Sequence, residues 1–298
     1  MIFLGVDCGT QSTKTLAVDI ETGEIIASAQ KAYAMLPLTA PGAMEQNPAD
    51  WRNAADATIR EVLSALGARK DDVRGIGVSG QQHGLVVLDA AGEVVRPAKL
   101  WNDTSTTAQC DAIHEHFGGP ARVVEMSGNP MLPGYTAPKI LWLRENEPEN
   151  WRRTASVLLP HDYLNFWLTG EKRMEYGDAS GTALLDVRSR NWCGPIVDFI
   201  ADDLAKKLPP AGSSCQPAGN VRKALLRDWG ITHPVLVSAG GGDNMMSAIG
   251  TGNVVPGVVT ASLGTSGTLC GFSPTPIVDP AGEVAAFCDS TNHWLPLV

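Results

Sequence analysis

The sequence predicts an α/β protein: a mixed β-sheet with helices on both faces, followed by the opening strands of a second unit of the same kind. Two observations carry this. A strand hairpin, a helix and then alternating strands and helices follow one another, an order that puts helices on sheet faces. A glycine–threonine turn between two strands also occurs twice, as Asp7-Cys8-Gly9-Thr10-Gln11-Ser12 and as Leu263-Gly264-Thr265-Ser266-Gly267.

Ile2–Val6, Lys14–Val18 and Ile25–Ala29 read as three strands of a meander, with Glu21-Thr22-Gly23-Glu24 as a hairpin turn. A helix starts at Pro48, with Asn47 as its cap and Gly67 as its stop. Its apolar residues Trp51, Ala55, Ile59, Val62, Leu63 and Leu66 share one helical face. A strand over Val73–Val78 ends in Ser79-Gly80-Gln81-Gln82-His83-Gly84. A second strand pair, Leu85–Leu88 and Glu93–Val95, turns at Ala90-Ala91-Gly92. Helices are expected over Thr104–Phe117, over Ala137–Glu145 with Thr136 as cap, over Pro160–Leu168 and over Val221–Trp229, each with a glycine or capping signal at an end. Pro234–Ser238 is a strand, Met245–Gly250 a short helix, and Val258–Ser262 with Thr268–Phe272 repeat the opening hairpin. Residues 1–253 then form the first domain and 254–298 the beginning of the second. That second portion has no helices of its own, so it is expected to be incomplete and weak by itself.

The 298 residues carry a net charge of −9, which argues against non-specific binding to nucleic acid or an anionic membrane, though not against a nucleotide held by local turns. Six scattered cysteines lack C-x-x-C or zinc-ligand spacing and suit a reducing cytoplasm. The first residues have no basic segment and meet Asp7 at once, unlike a signal peptide, and no apolar run reaches membrane-spanning length.

Between the two glycine–threonine turns lies Gly240-Gly241-Gly242-Asp243-Asn244, a glycine turn between a strand and a helix start. Glycines let backbone approach a ligand, and a helix N-terminus favours anions. A polyphosphate gripped by two such turns and facing a lone carboxylate is the arrangement phosphoryl transfer to a hydroxyl needs.

The chain resembles the FGGY carbohydrate kinases along its whole length. The runs that carry the resemblance are Gly5–Thr10, Gly80–Gly84, Leu100–Asp103, Pro133–Lys139, Leu158–Tyr163, Asp178–Thr182, Gly240–Asn244 and Ser262–Gly267. The resemblance implies an actin-like (ribonuclease H-like) ATPase fold and ATP-dependent phosphorylation of a sugar with Mg²⁺. Within the family the match is to the branch acting on D-xylulose, with ribulose, gluconate, glycerol or a non-catalytic sugar-binding module as alternatives. It also implies a cytoplasmic protein with small-molecule partners, and makes a homodimer an open expectation. Two departures stand out: Gln82 where that branch usually has methionine, and Thr104-Ser105-Thr106 where an arginine often follows the Trp-Asn-Asp run.

Residue by residue, the resemblance makes Asp243 the general base, against a reading as a simple helix cap. Asp7 would hold Mg²⁺ through water, with Asp243 as the other metal candidate, against a turn aspartate. Gly9, Thr10, Gln11, Ser12, Gly264, Thr265 and Ser266 are the phosphate contacts. Gln82, His83, Trp101, Asn102, Asp103, Asp243 and Asn244 are the sugar contacts. His83 could equally be structural, Asp103 could cap the helix beginning at Thr104, and Asn244 could orient Asp243.

Overall fold

A computed structural model describes residues 1–38, 40–263 and 267–298. Strands β1 (Ile2–Cys8), β2 (Ser12–Asp19) and β3 (Glu24–Ala32) form the expected meander. Helix α1 (Pro48–Leu66) follows the short strand β4 (Glu45–Gln46); Asn47 Oδ1 accepts from Ala49 N at its start, and Gly67 closes it at φ 58°. Strand β5 (Val73–Gly80) runs parallel to β1 and starts the α/β half of the sheet.

The middle of the chain contains β6 (Val86–Leu88), β7 (Ala98–Lys99), α2 (Thr107–Phe117), α3 (Pro120–Ser127), α4 (Thr136–Asn146), α5 (Pro148–Arg153), β8 (Ser156–Leu158) and α6 (Pro160–Thr169). Then come β9 (Met174–Glu175), α7 (Tyr176–Ser180), β10 (Leu185–Asp186), β11 (Asn191–Trp192), α8 (Gly194–Ile200), α9 (Leu204–Lys207), β12 (Ala211–Gly212), β13 (Gly219–Asn220) and α10 (Lys223–Trp229). The chain closes with β14 (Leu236–Val237), β15 (Gly241–Gly242), α11 (Asp243–Gly250), β16 (Val259–Leu263), β17 (Gly267–Gly271), β18 (Ala285–Cys288) and β19 (Trp294–Leu297).

The main sheet runs β13-β14-β5-β1-β2-β3, with β15 also paired to β5; β1, β5, β14 and β15 are mutually parallel and the rest antiparallel. Alternation on β1 is strict: Ile2, Leu4, Val6 and Cys8 are buried, while Phe3, Gly5 and Asp7 face the open side. The buried side packs on Trp51, Ile59, Val62 and Leu63 of α1 and on Tyr163, Leu164 and Leu168 of α6. Each such large apolar side chain contributes about 1.5–3 kcal/mol when fully buried.

Several expectations need correcting. The hairpin closing at Ala90-Ala91-Gly92 forms, through the Leu88–Val94 bridge and bonds from Asp89 N to Glu93 O and Val95 N to Val87 O, but the longer ladder partner of Val86–Leu88 is Ser156–Leu158. The second helix starts at Thr107, because Thr104 N is drawn to Gly42 O and Ser105 N to Asp103 Oδ1. Thr136 does not cap α4; it lies inside the helix, and its hydroxyl donates to His83 O.

The closing strands are also better covered than expected. They form a sheet of order β16-β17-β19-β18. Cys270, Phe287, Cys288 and Leu295 are buried in the same core as Ile113, Ile140 and Ile196 from α2, α4 and α8. Its β16–β17 edge matches the expectation, with Val259, Leu263 and Leu269 exposed. Among the described residues, no helix is long and apolar enough to cross a membrane.

Candidate active site

Asp7 on β1 sits beside Ser79 on β5, which in turn sits beside Gly241 on β15; Cys8, Gly80 and Gly242 repeat the row. With strands spaced about 4.8 Å apart, this puts the Asp7 position roughly 10 Å from the Gly241–Gly242 turn. The candidate residues therefore leave adjacent parallel strands at their carboxyl ends, where open α/β sheets bind ligands.

Asp243 is the first residue of α11, and Gly242 occupies the cap position. The simple-cap reading thus does not hold, because the carboxylate instead accepts from the N–H of Asn244 at 2.9 Å. Gly240 shapes the approach: its φ is 69°, and a Cβ there would lie 2.2 Å from Val78 O. Burial, then the charges of Asp178 and Asp7, push the Asp243 carboxyl up to about 7 despite the Asn244 N–H. Asp7 is exposed as a residue, yet protein atoms crowd its carboxyl and raise its pKa; the Ser79 hydroxyl opposes this.

A cleft of about 310 Å³ opens in front of Asp243 and is lined by Gln82, His83, Trp101, Tyr135, Asn244 and Phe287, among others. Gln82 Oε1 accepts from Asn244 Nδ2 at 2.7 Å, so the two amides brace each other beside Asp243. Gln82 Nε2 donates to Met245 Sδ at 3.2 Å and also lies near enough to Asp178 to favour its ionised form.

His83 adopts φ 61°. Its ring lies 4.7 Å from that of Tyr135 and 5.7 Å from that of Phe287. Burial and the Lys139 charge hold its pKa down to about 3, so the ring is neutral at any working pH.

Beneath the cleft, His161 Nδ1 and Asp178 Oδ2 lie 2.7 Å apart, both fully buried. The carboxylates of Asp162 and Asp178 outweigh burial and raise the His161 pKa well above its usual value. Glu175 caps α7 by accepting from Gly177 N and Asp178 N, and burial pushes its carboxyl to about 7.

Five of the expected sugar contacts therefore meet at one cleft: Gln82, His83, Trp101, Asp243 and Asn244. Asp103 does not. It is fully buried, and its carboxylate is occupied by Lys99 Nζ, Met44 N, Ser105 N and Ser105 Oγ. It shapes the turn that displays Trp101. Asn102 also lies off the cleft lining, half-buried, with Oδ1 unpartnered among the described residues.

In the first glycine turn, Gly9 N donates to Ser12 O, and Ser12 Oγ accepts from Gln30. The Thr10 hydroxyl donates to Gln81 and accepts from Trp101 Nε1 at 3.0 Å, tying this turn to the cleft wall, while Gln11 is exposed. Gly264, Thr265 and Ser266 lie outside the described residues. Residue-type reasoning did not single out Tyr135 or Phe287. Tyr135 stood inside a quoted run without a role, and Phe287 lies in a strand with no chemical signal.

No group of three or more His, Cys, Asp or Glu residues forms a metal cage among the described residues. Asp7 and Asp243, near enough for the charge of Asp7 to raise the pKa of Asp243, are the hard oxygen donors that a largely hydrated Mg²⁺ would take.

An actin-like sheet with a carboxylate-centred cleft at its carboxyl edge defines a class, and comparison gives its family. Residues 2–250 match the N-terminal domain of the FGGY family of carbohydrate kinases, and the chain belongs to that family. It is 39% identical to a xylulose kinase of Haemophilus influenzae over its whole length, spanning 61% of that protein. It is 37% identical to a xylulose kinase of Escherichia coli over 99% of its length, spanning 58% of that protein. A crystal structure described as a xyloylose kinase from Brucella ovis superposes with a TM-score of 0.93 at 34% identity, covering all of this chain and 60% of the other.

Proposed function

We propose that this chain is the sugar-binding part of an ATP-dependent kinase that converts D-xylulose to D-xylulose 5-phosphate. The observation that carries the reading is Asp243: a single carboxylate at a helix start, facing a cleft lined by amide, imidazole and aromatic side chains, with a pKa close to neutral. The sugar's terminal hydroxyl oxygen bonds to the γ-phosphorus, the bond from that phosphorus to the β-phosphate oxygen breaks, and the hydroxyl proton passes to Asp243 Oδ. A base with a pKa near the working pH is well matched to this late proton transfer. Asn244, braced by Gln82, keeps the carboxylate aimed, and the neutral His83 ring offers hydrogen bonds to the sugar without adding charge. Asp7 and Asp243 would hold the hydrated Mg²⁺, which when bound offsets the phosphate charge. The Gly9–Ser12 turn would meet the phosphates.

The substrate assignment rests on xylulose kinases among the relatives and on five of the expected sugar contacts converging on the cleft. Calorimetry on the 298-residue chain with D-xylulose, D-ribulose, D-gluconate and glycerol tests it. D-xylulose should bind tightest, and a clear preference for glycerol overturns the assignment. Any turnover should fall roughly 10²–10⁴-fold in Asp243→Asn, with sugar binding retained; near-normal turnover removes Asp243 from the base role. A sugar-binding module without turnover is the second reading. It is favoured by the exposure of β16, which leads to the second glycine–threonine turn. Heat from D-xylulose and none from Mg-ATP would select it.

A further inference from the structure

Lys139 is a fully buried lysine that the proposed chemistry does not use. Its hydrogen-bond acceptors among the described residues are two main-chain carbonyls, His83 O at 2.8 Å and Gly134 O at 2.7 Å. Thr136 Oγ1 donates to the same His83 carbonyl at 3.1 Å. That carbonyl belongs to a non-glycine residue at φ 61°, a left-handed conformation that L-residues leave when nothing holds them.

The ring of His83 is confined as well. Tyr135 and Phe287 flank it, and a Cβ on Gly181 would come within 2.4 Å of its Cε1. Its Nδ1 is buried and unpartnered among the described residues. Burial pushes the Lys139 ammonium down to about 7, so the protein keeps it there against its own solvation.

We propose that Lys139 is a positioning residue for sugar binding: together with Thr136 it clamps the His83 carbonyl and so holds the imidazole in the cleft. The inference rests on the reading of the cleft as a ketose site. It gives the Pro133–Lys139 run a physical task, since one helix start supplies Tyr135 to the cleft wall, Thr136 and Lys139 to the clamp, and its Gly134 carbonyl as the second anchor.

The test is a double-mutant cycle on the 298-residue chain with D-xylulose as the titrant. Lys139→Met removes the buried ammonium in favour of a side chain of similar length, leaving the His83 carbonyl with Thr136 and the Gly134 carbonyl without this donor. It should weaken D-xylulose binding by roughly tenfold or more, a size typical of a residue that orders a binding group. His83→Ala should also weaken binding, and Lys139→Met should add nothing in the His83→Ala background. If Lys139→Met does not fold, Thr136→Val removes the other donor to the same carbonyl and carries the same cycle.

Ring NMR signals of His83 give a second readout and should shift in Lys139→Met while the melting transition stays cooperative. Wild-type affinity in both Lys139→Met and Thr136→Val, or losses that add in full to that of His83→Ala, overturns the clamp. If wild type binds none of the sugars, or His83→Ala binds as wild type does, the ketose reading fails instead. The His83 ring signals then decide the clamp alone, and unchanged signals overturn it.

Discussion

Glu175→Gln isolates one buried charge, and its effect should be visible in how stability depends on pH. In the folded chain Glu175 sits at 3% exposure, caps α7 and has its carboxyl pushed to about 7 from its ordinary 4.5, chiefly by burial. Because the folded pKa lies above the unfolded one, the contribution is fully present below about 4.5 and is lost as pH rises through 7. The gap between 4.5 and about 7 makes the loss ~3 kcal/mol across that window. Gln cannot ionise, so the variant lacks this loss, although its amide facing Gly177 N–H adds a constant penalty of about 1–3 kcal/mol. Urea unfolding of both proteins from pH 4.5 to 8 gives the difference curve. Wild type should lose ~3 kcal/mol relative to the variant as pH rises, while titration of groups common to both, such as His161, largely cancels. A flat difference curve, or one of opposite slope, would mean that Glu175 stays ionised when folded and that the burial argument is wrong.

The other predictions concern the turns around Asp243. Gly240→Ala combines a left-handed backbone with a Cβ driven against Val78 O, and should destabilise the chain by roughly 2–5 kcal/mol in thermal or urea denaturation; a change under about 1 kcal/mol would contradict the turn geometry. Gln82→Met keeps the side chain's length but takes away the acceptor of the part-buried Asn244 amide, so stability should fall by about 1–3 kcal/mol. It releases Asn244 Nδ2, so D-xylulose affinity should fall several-fold in calorimetry, and an unchanged affinity would show that the amide brace has no role in binding.

Local signals carried the parts of the fold that were legible in advance. The meander, the Asn47 cap, the Gly67 stop and the Asp243 turn are each written in a few neighbouring residues. Helices α5 and α7 to α9 are too short to fill the window of about 11 residues in which a helical pattern can be read. The partner of Val86–Leu88 lies some 70 residues on, where hairpin logic does not look. At the site, the family resemblance pointed to Gln82, His83, Trp101, Asp243 and Asn244, all of which line the cleft. It placed Asp103 there too, because a carboxylate beside a tryptophan looks like a ligand group until Lys99 is seen to consume it. Phe287 was invisible for the opposite reason: its contribution is shape, and shape appears only once distant strands pack.

The contact between the rings of His83 and Phe287 joins residues 204 positions apart in the sequence. At a synthesis rate of about 5–20 residues per second, roughly 10–40 s separate the emergence of the first from that of the second. During that interval the main sheet and α1 can form on a nascent chain, but the His83 slot stays open on one side, with its apolar walls wet. On the proposed reading, sugar affinity is a late property of each newly made molecule, and D-xylulose would act as a selective stabiliser of chains that have completed the packing of β18.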